Sequence, residues 1–186
     1  TAQRRGEVAG MAASEIDRAG RIWTIPRGRA KNDRAHVVPL SDAALAIVDA
    51  LPTVKGKAGL LLTTNGASPV SGFDRAKERL DVLALAELRR IVAAHGGNLD
   101  EADFPAWRLH DLRRTAATGM QRLGVQMPVV ERALNHVSGS FGGIAGVYQR
   151  FDYAGDVRRA LDAWAAFVIG LDAPKDSNVV PLRKST

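Results

Sequence analysis

The chain has 186 residues, with 26 Lys and Arg against 20 Asp and Glu, for a formal net charge of +6. That length suits one compact domain with a core of its own, and the basic excess favours polyanionic partners, nucleic acid before acidic membrane surface. With no cysteine, a disulfide scaffold, a thiol nucleophile and a Cys-ligated zinc are excluded. No signal peptide is evident and no apolar run approaches the ~20 residues of a membrane helix, so a cytoplasmic protein is the default expectation.

In chain order, TAQRRGEVAGMAA at the start reads as a helix with Val8 and Met11 on its buried side. RIWTIP (21–26) and HVVPL (36–40) are rich in β-branched and aromatic residues and predict two strands. The polar RGRAKNDRA between them, with Gly28, Asn32 and Asp33, predicts a β-hairpin with a basic tip. Ser41 and Asp42 offer an N-cap to a helix that stops at Pro52, and LLLTT (60–64) suggests one more short strand. A helix is expected over 72–95, with Phe73, Leu80, Leu83 and Ile91 available to the core, followed by a loop over 96–107. Helices over 110–123 and 128–136, a Gly-rich region to Arg150, and a helix over 154–169 complete the domain. In the last helix Val157, Leu161, Trp164 and Val168 recur on one face. The expected fold class is α+β, mainly α, with a small antiparallel sheet. Its domain runs over 1–170, and 171–186 forms a tail, flexible or docked on a partner through its VVPL segment.

HDLRRTAAT (110–118) is the most informative stretch. On a helix, Leu109, Leu112, Ala116, Met120 and Leu123 make an apolar stripe, with Arg113 at its edge and His110 beside the helix N-terminus. A guanidinium held there grips a phosphate bidentately, and the helix end favours the anion. An amphipathic helix with a solvated arginine pair is the plainer alternative. Elsewhere Arg4 and Glu7 stand at i and i+3, so the carboxylate can orient the guanidinium. Lys31 falls at the hairpin tip, His136 follows a helix in ALNH, and Tyr148 lies in the Gly-rich region. Singly, each also reads as ordinary structure: a solvated turn lysine, a helix C-cap, a core aromatic.

The order Arg, Lys, His-x-x-Arg, His, Tyr resembles the tyrosine recombinase family, also called phage integrases, from Thr1 to about Asp152. TAQRRGE resembles the family's first arginine box, RAKNDRAHVVPLS its lysine-bearing hairpin, and RLHDLRRT its His-x-x-Arg box. ALNH and GVYQR match the segments that carry the second histidine and the tyrosine. The resemblance implies the catalytic-domain fold of that family and a site-specific DNA recombinase, of the kind that prophages and genomic islands carry as integrases. It assigns Tyr148 as nucleophile, Arg4 and Arg113 as phosphate ligands, and Lys31 as a mobile lysine that also contacts the phosphate. It further assigns His110 as base or hydrogen-bond partner, His136 as a further phosphate donor, and Glu7 as support for Arg4. No metal, ATP or other cofactor is implied. The partners implied are double-stranded DNA and three further copies of the chain, in a homotetramer with C-terminal exchange.

Three features depart from the family pattern. Ala2 and Asn135 stand where glycines are usual, and the stretch between His136 and Tyr148 is a few residues longer than common. Tyr153 is the only other tyrosine and is expected to pack or to contact the DNA backbone. The chain starts inside the first arginine box, so a domain truncated at its N-terminus is expected. A type IB topoisomerase-like enzyme and a non-catalytic DNA-binding module are the competing functional readings.

Overall fold

A computed structural model describes residues 1–56, 58–136 and 153–171. Three short antiparallel strands pack against a mainly helical body. Helix α1 (Arg5–Ala9) leads into a 3-10 turn and strand β1 (Ile16–Asp17), which pairs with β2 (Ile22–Ile25). Strand β2 pairs in turn with β3 (His36–Pro39), with Ile22 opposite Pro39 and Ile25 opposite His36. The polar tip of this second hairpin spans 26–35 and contains the 3-10 turn Arg27–Arg29. Helices α2 (Asp42–Asp49), α3 (Phe73–Ala94), α4 (Leu109–Arg122), α5 (Met127–Ala133) and α6 (Ala154–Gly170) follow.

Alternation on the strands puts Trp23 and Ile25 of β2 and Val38 of β3 into one apolar face, joined by Leu40 just beyond the strand. Against it lie Val48 of α2, Met120 of α4, Val130 of α5, and Val157 and Leu161 of α6. Helix α6 touches β3, α2, α4 and α5, and is the element that ties the sheet to the helices. The Ser41 hydroxyl accepts from Ala44 N at 3.2 Å, so α2 begins where the sequence suggests. Among the described residues no helix is long and apolar enough to cross a membrane.

Several expectations are corrected. The opening helix ends at Ala9, with Gly10 as its C-cap. Met11 is buried in the extended segment beyond the helix. LLLTT forms no strand; Leu60 makes a single bridge to Ala12. The strand β1 was not anticipated, being two residues long in a polar surround. Finally, α3 buries no residue: Leu80, Leu83 and Ile91 are 42%, 68% and 44% exposed, because among the described elements the helix packs only lightly on the body. Val168, in the last turn of α6, is likewise exposed while Val157 and Leu161 are buried.

Candidate phosphate-binding site

Two backbone devices bring the first two arginines together. At the start of α1, Glu7 reaches back so that Oε2 accepts from Arg4 N and Oε1 from Arg4 Nη1, both at 2.9 Å. This is the reciprocal half of a capping box, and it fixes the Arg4 side chain as it caps the helix. Glu7 itself is buried. Arg29, from the hairpin tip, donates to the Glu7 main-chain oxygen at 3.0 Å and pairs with the Glu15 carboxylate, which also accepts from Trp23 Nε1 at 3.0 Å. The first arginine is thus tied to the sheet.

Arg113 sits on the buried face of α4, not at its edge. Leu109, Arg113, Ala116 and Met120 follow the four-three-four spacing of one stripe, and Leu112 and Leu123 point outward at 54% and 42% exposure. As a whole residue Arg113 is only 6% exposed. Arg113 Nη1 donates to the Ala2 carbonyl at 2.6 Å and Nη2 to the Leu134 carbonyl. A guanidinium has more donors than these two carbonyls use, so N–H groups remain for a ligand. Burial, reinforced by the Arg4 charge and opposed by Glu7, pushes the Arg113 pKa down to about 10. It stays charged at neutral pH.

These groups line one cleft of about 520 Å³, formed by Arg4, Lys31, Asn32, His110, Arg113, Asn135 and His136. Four segments contribute: the start of α1, the hairpin tip, the first two turns of α4, and the residues after α5. No described residue lining the cleft is an Asp or a Glu. His110 is exposed in the first turn of α4, where unpaired main-chain N–H groups favour an anion. His136 is exposed at the rim, and partial burial, with the positive charges of Arg113 and Arg4, lowers its pKa below the ordinary value. At neutral pH it is uncharged and retains one N–H to donate. Lys31 is exposed at the hairpin tip.

The residues where glycines were expected have a backbone explanation. Ala2 has φ +54° and Asn135 φ +50°, the left-handed region where glycine is least strained. Asn tolerates that region better than Ala does. Asn32 and Asn135 both line the cleft, and neither was expected in the site: the sequence marks them only as a turn residue and as a replacement for glycine, and gives no signal of a partner 103 positions away.

Tyr148 and the Gly-rich stretch lie outside the described residues, as does the chain beyond 171. Tyr153 is described. It is half-buried at the N-terminus of α6, packs on the core, and carries the Arg132 guanidinium 5.9 Å over its ring. It does not line the cleft of Arg4 and Arg113.

A second groove of about 690 Å³ adjoins the first and shares Arg4, Lys31 and His110 with it. Arg5, Lys77, Trp107 and Arg108 extend it, with the Lys77 ammonium 4.1 Å from the Trp107 ring centroid. Arg5 and Arg108 lie within the two arginine boxes without an assigned role, and no motif marks Lys77 or Trp107. Among the described residues no group of three or more His, Asp or Glu could hold a metal ion.

Comparison with known proteins agrees with the motif order. The sequence matches the phage integrase family over residues 1–144. It is 29% identical over 173 residues to the prophage integrase IntA of Escherichia coli (strain K12), covering 93% of this chain. The chain spans 37% of that relative's length. A solved structure of the Tn1549 transposon integrase in complex with circular intermediate DNA superposes with a TM-score of 0.48 at 14% identity, over 86% of this chain and 53% of that one. With well over half of its length matched by one family, the chain belongs to the phage integrase family.

Proposed function

We propose that the chain is the catalytic domain of a site-specific DNA recombinase that cuts and rejoins strands through a 3′-phosphotyrosyl intermediate. One observation carries this reading: two arginines, two histidines and a lysine from four segments line one cleft, and no Asp or Glu is among its described lining residues. Such a site is electrostatically incomplete without an anion, and a phosphodiester supplies it.

In the first step the Tyr148 Oη attacks the scissile phosphorus. The Oη–P bond forms, the P–O5′ bond breaks, and a 5′-hydroxyl is released. A phenol with a pKa of ~10 is a poor nucleophile at neutral pH, so its proton is drawn towards His110. Arg4 and Arg113 hold the non-bridging oxygens and stabilise the charge that grows on them; their fixed geometry means little reorganisation as it does so. His136 adds a donor to the same phosphate. Lys31 Nζ transfers a proton to the departing O5′, which leaves poorly as an alkoxide. In the second step a 5′-hydroxyl from another strand attacks the phosphotyrosine, the P–Oη bond breaks, and the tyrosine is regenerated. The phosphoester is conserved throughout, so resealing draws on no nucleotide. The positive charge that divalent cations bring to many phosphoryl transfers comes here from the arginines.

Exchange between two duplexes involves four strands, and we assign the working species as a homotetramer on double-stranded DNA. Phe167, Val168, Ile169 and Leu171 are 44%, 44%, 58% and 66% exposed at the end of α6, which suits a C-terminal segment that docks on a neighbouring protomer.

The test is a nicked duplex carrying the attachment site, incubated with the complete protein and run on a denaturing gel. A covalent protein–DNA adduct is expected with wild type and with Tyr153→Phe, and none with Tyr148→Phe. Absence of an adduct with wild type overturns the enzyme reading. An adduct that survives Tyr148→Phe and disappears in Tyr153→Phe moves the nucleophile.

A further inference from the structure

The hairpin tip that carries Lys31 is not a free loop. Next to Lys31, Asn32 Nδ2 donates to the Asn135 main-chain oxygen at 3.1 Å and to Asn135 Oδ1 at 2.9 Å. Asn135 Nδ2 lies 3.4 Å from Asn32 Oδ1 in return. The two amides therefore pair reciprocally across 103 positions of sequence, with a main-chain acceptor added. Asn135 immediately precedes His136, and all four residues line the same cleft.

Two further facts bear on this pair. Asn135 holds φ at +50°, where glycine is the least strained residue, so its side chain is kept in spite of the backbone. The tip is also braced internally, since Arg27 pairs with Asp33, which has φ +52°, and Arg29 bonds to Glu7 and Glu15. Those bonds shape the tip and anchor it towards α1. Among the described residues, Asn32 makes the tip's side-chain hydrogen bonds to the segment after α5. Without them a long ammonium side chain on an exposed turn samples many positions, and few of these lie within proton-transfer distance of one oxygen.

We propose that Asn32 and Asn135 are positioning residues, whose clasp sets Lys31 at the height of the leaving oxygen and couples it to the segment that bears His136. This rests on the reading of Lys31 as the proton donor in DNA cleavage. The clasp touches neither phosphate nor leaving group; it acts through Lys31.

A 5′-bridging phosphorothiolate separates this role from a general loss of structure. In that substrate sulfur replaces the bridging O5′, the P–S bond breaks, and a thiolate departs without needing a proton because a thiol is far more acidic than an alcohol. Single-turnover cleavage by the complete protein is measured on nicked duplexes with oxygen or with sulfur at that position. Lys31→Ala is expected to slow the oxygen substrate by roughly 10²–10⁴-fold. Asn32→Ala is expected to slow it by roughly tenfold or more, as a displaced donor does. Asn135→Gly keeps the main-chain acceptor and relaxes the backbone, so it provides a well-folded second variant with a smaller defect. All three are expected to regain near wild-type rates on the sulfur substrate. If Lys31→Ala is equally slow on both substrates, Lys31 is not the acid and the clasp's role falls with it. If Lys31→Ala is rescued, while both asparagine variants are slowed equally on both substrates or not slowed on oxygen, the clasp alone is overturned.

Discussion

Arg113 is charged, almost wholly buried, and bonded to the carbonyls of Ala2 and Leu134, so it joins the start of the chain to the end of α5 from within α4. Its removal leaves two acceptors without that donor and, in the function proposed above, takes away a phosphate ligand. Arg113→Ala is expected to destabilise the domain by about 1–3 kcal/mol in urea denaturation, and to abolish adduct formation. A stability unchanged from wild type would show that solvent replaces those bonds at no cost. The histidines give a pH signature. Burial, first of all, lowers the pKa of both His36 and His136 from the ordinary 6.5, and the charges of Arg113 and Arg4 lower both further. The unfolded chain therefore binds more protons than the folded one below that value. The contribution to stability is full above pH 6.5 and is lost as pH falls through the folded values. Urea midpoints are expected to fall between about pH 7 and about pH 5.5, and His36→Asn to flatten the slope. A midpoint that rises on acidification would reverse the sign and refute the assignment.

Among the elements, α4 does the most to place the site. Its buried stripe carries Arg113, and its first turn presents His110 to the cleft. Midway along the helix, Gly119 lies so close to α6 that a Cβ would collide with the Trp164 ring. Glycine inside a helix ordinarily costs about 1 kcal/mol relative to alanine. Here the sign is expected to invert, with Gly119→Ala destabilising by about 1–3 kcal/mol through overpacking, as read from the thermal midpoint. A gain in stability would mean that α4 and α6 separate easily. Helix α3 is the opposite case. Leu83 is 68% exposed, and Leu83→Glu is expected to change unfolding free energy by less than about 0.5 kcal/mol. A loss of several kcal/mol would show that α3 is covered by something other than the described residues.

At the scale of the whole molecule, the net charge is +6. Arg4, Lys31 and His110 belong to both grooves, and Arg5, Lys77 and Arg108, with one carboxylate, Asp74, line the second beyond the cleft. A duplex bound there displaces condensed counterions at each phosphate contact. Affinity for DNA is expected to fall steeply with salt, and Arg108→Gln to reduce the log–log slope by about 0.9, the value of one phosphate contact. An unchanged slope would place Arg108 off the DNA path.

Much of this was legible in the residues. β-Branched and aromatic residues on either side of a polar turn marked β2 and β3, the Ser41 cap and Pro52 bracketed α2, and the spacing in α6 named Val157 and Leu161 as core. The order of Arg4, Lys31, His110, Arg113, His136 and Tyr148 carried the family resemblance, and the five of these that are described line one cleft. Local pattern misled where the outcome depended on a neighbour. The leucines of α3 have helical spacing, and whether they are buried depends on what packs against the helix. Leu112 and Arg113 differ by one step around α4, and the arginine takes the inward position because two distant carbonyls receive it. The same holds for Asn135, whose amide meets that of Asn32 across 103 positions. Composition and motif order determine which chemistry the chain can perform. Packing and long-range hydrogen bonds decide where each group stands, since their energies arise only between residues far apart in sequence.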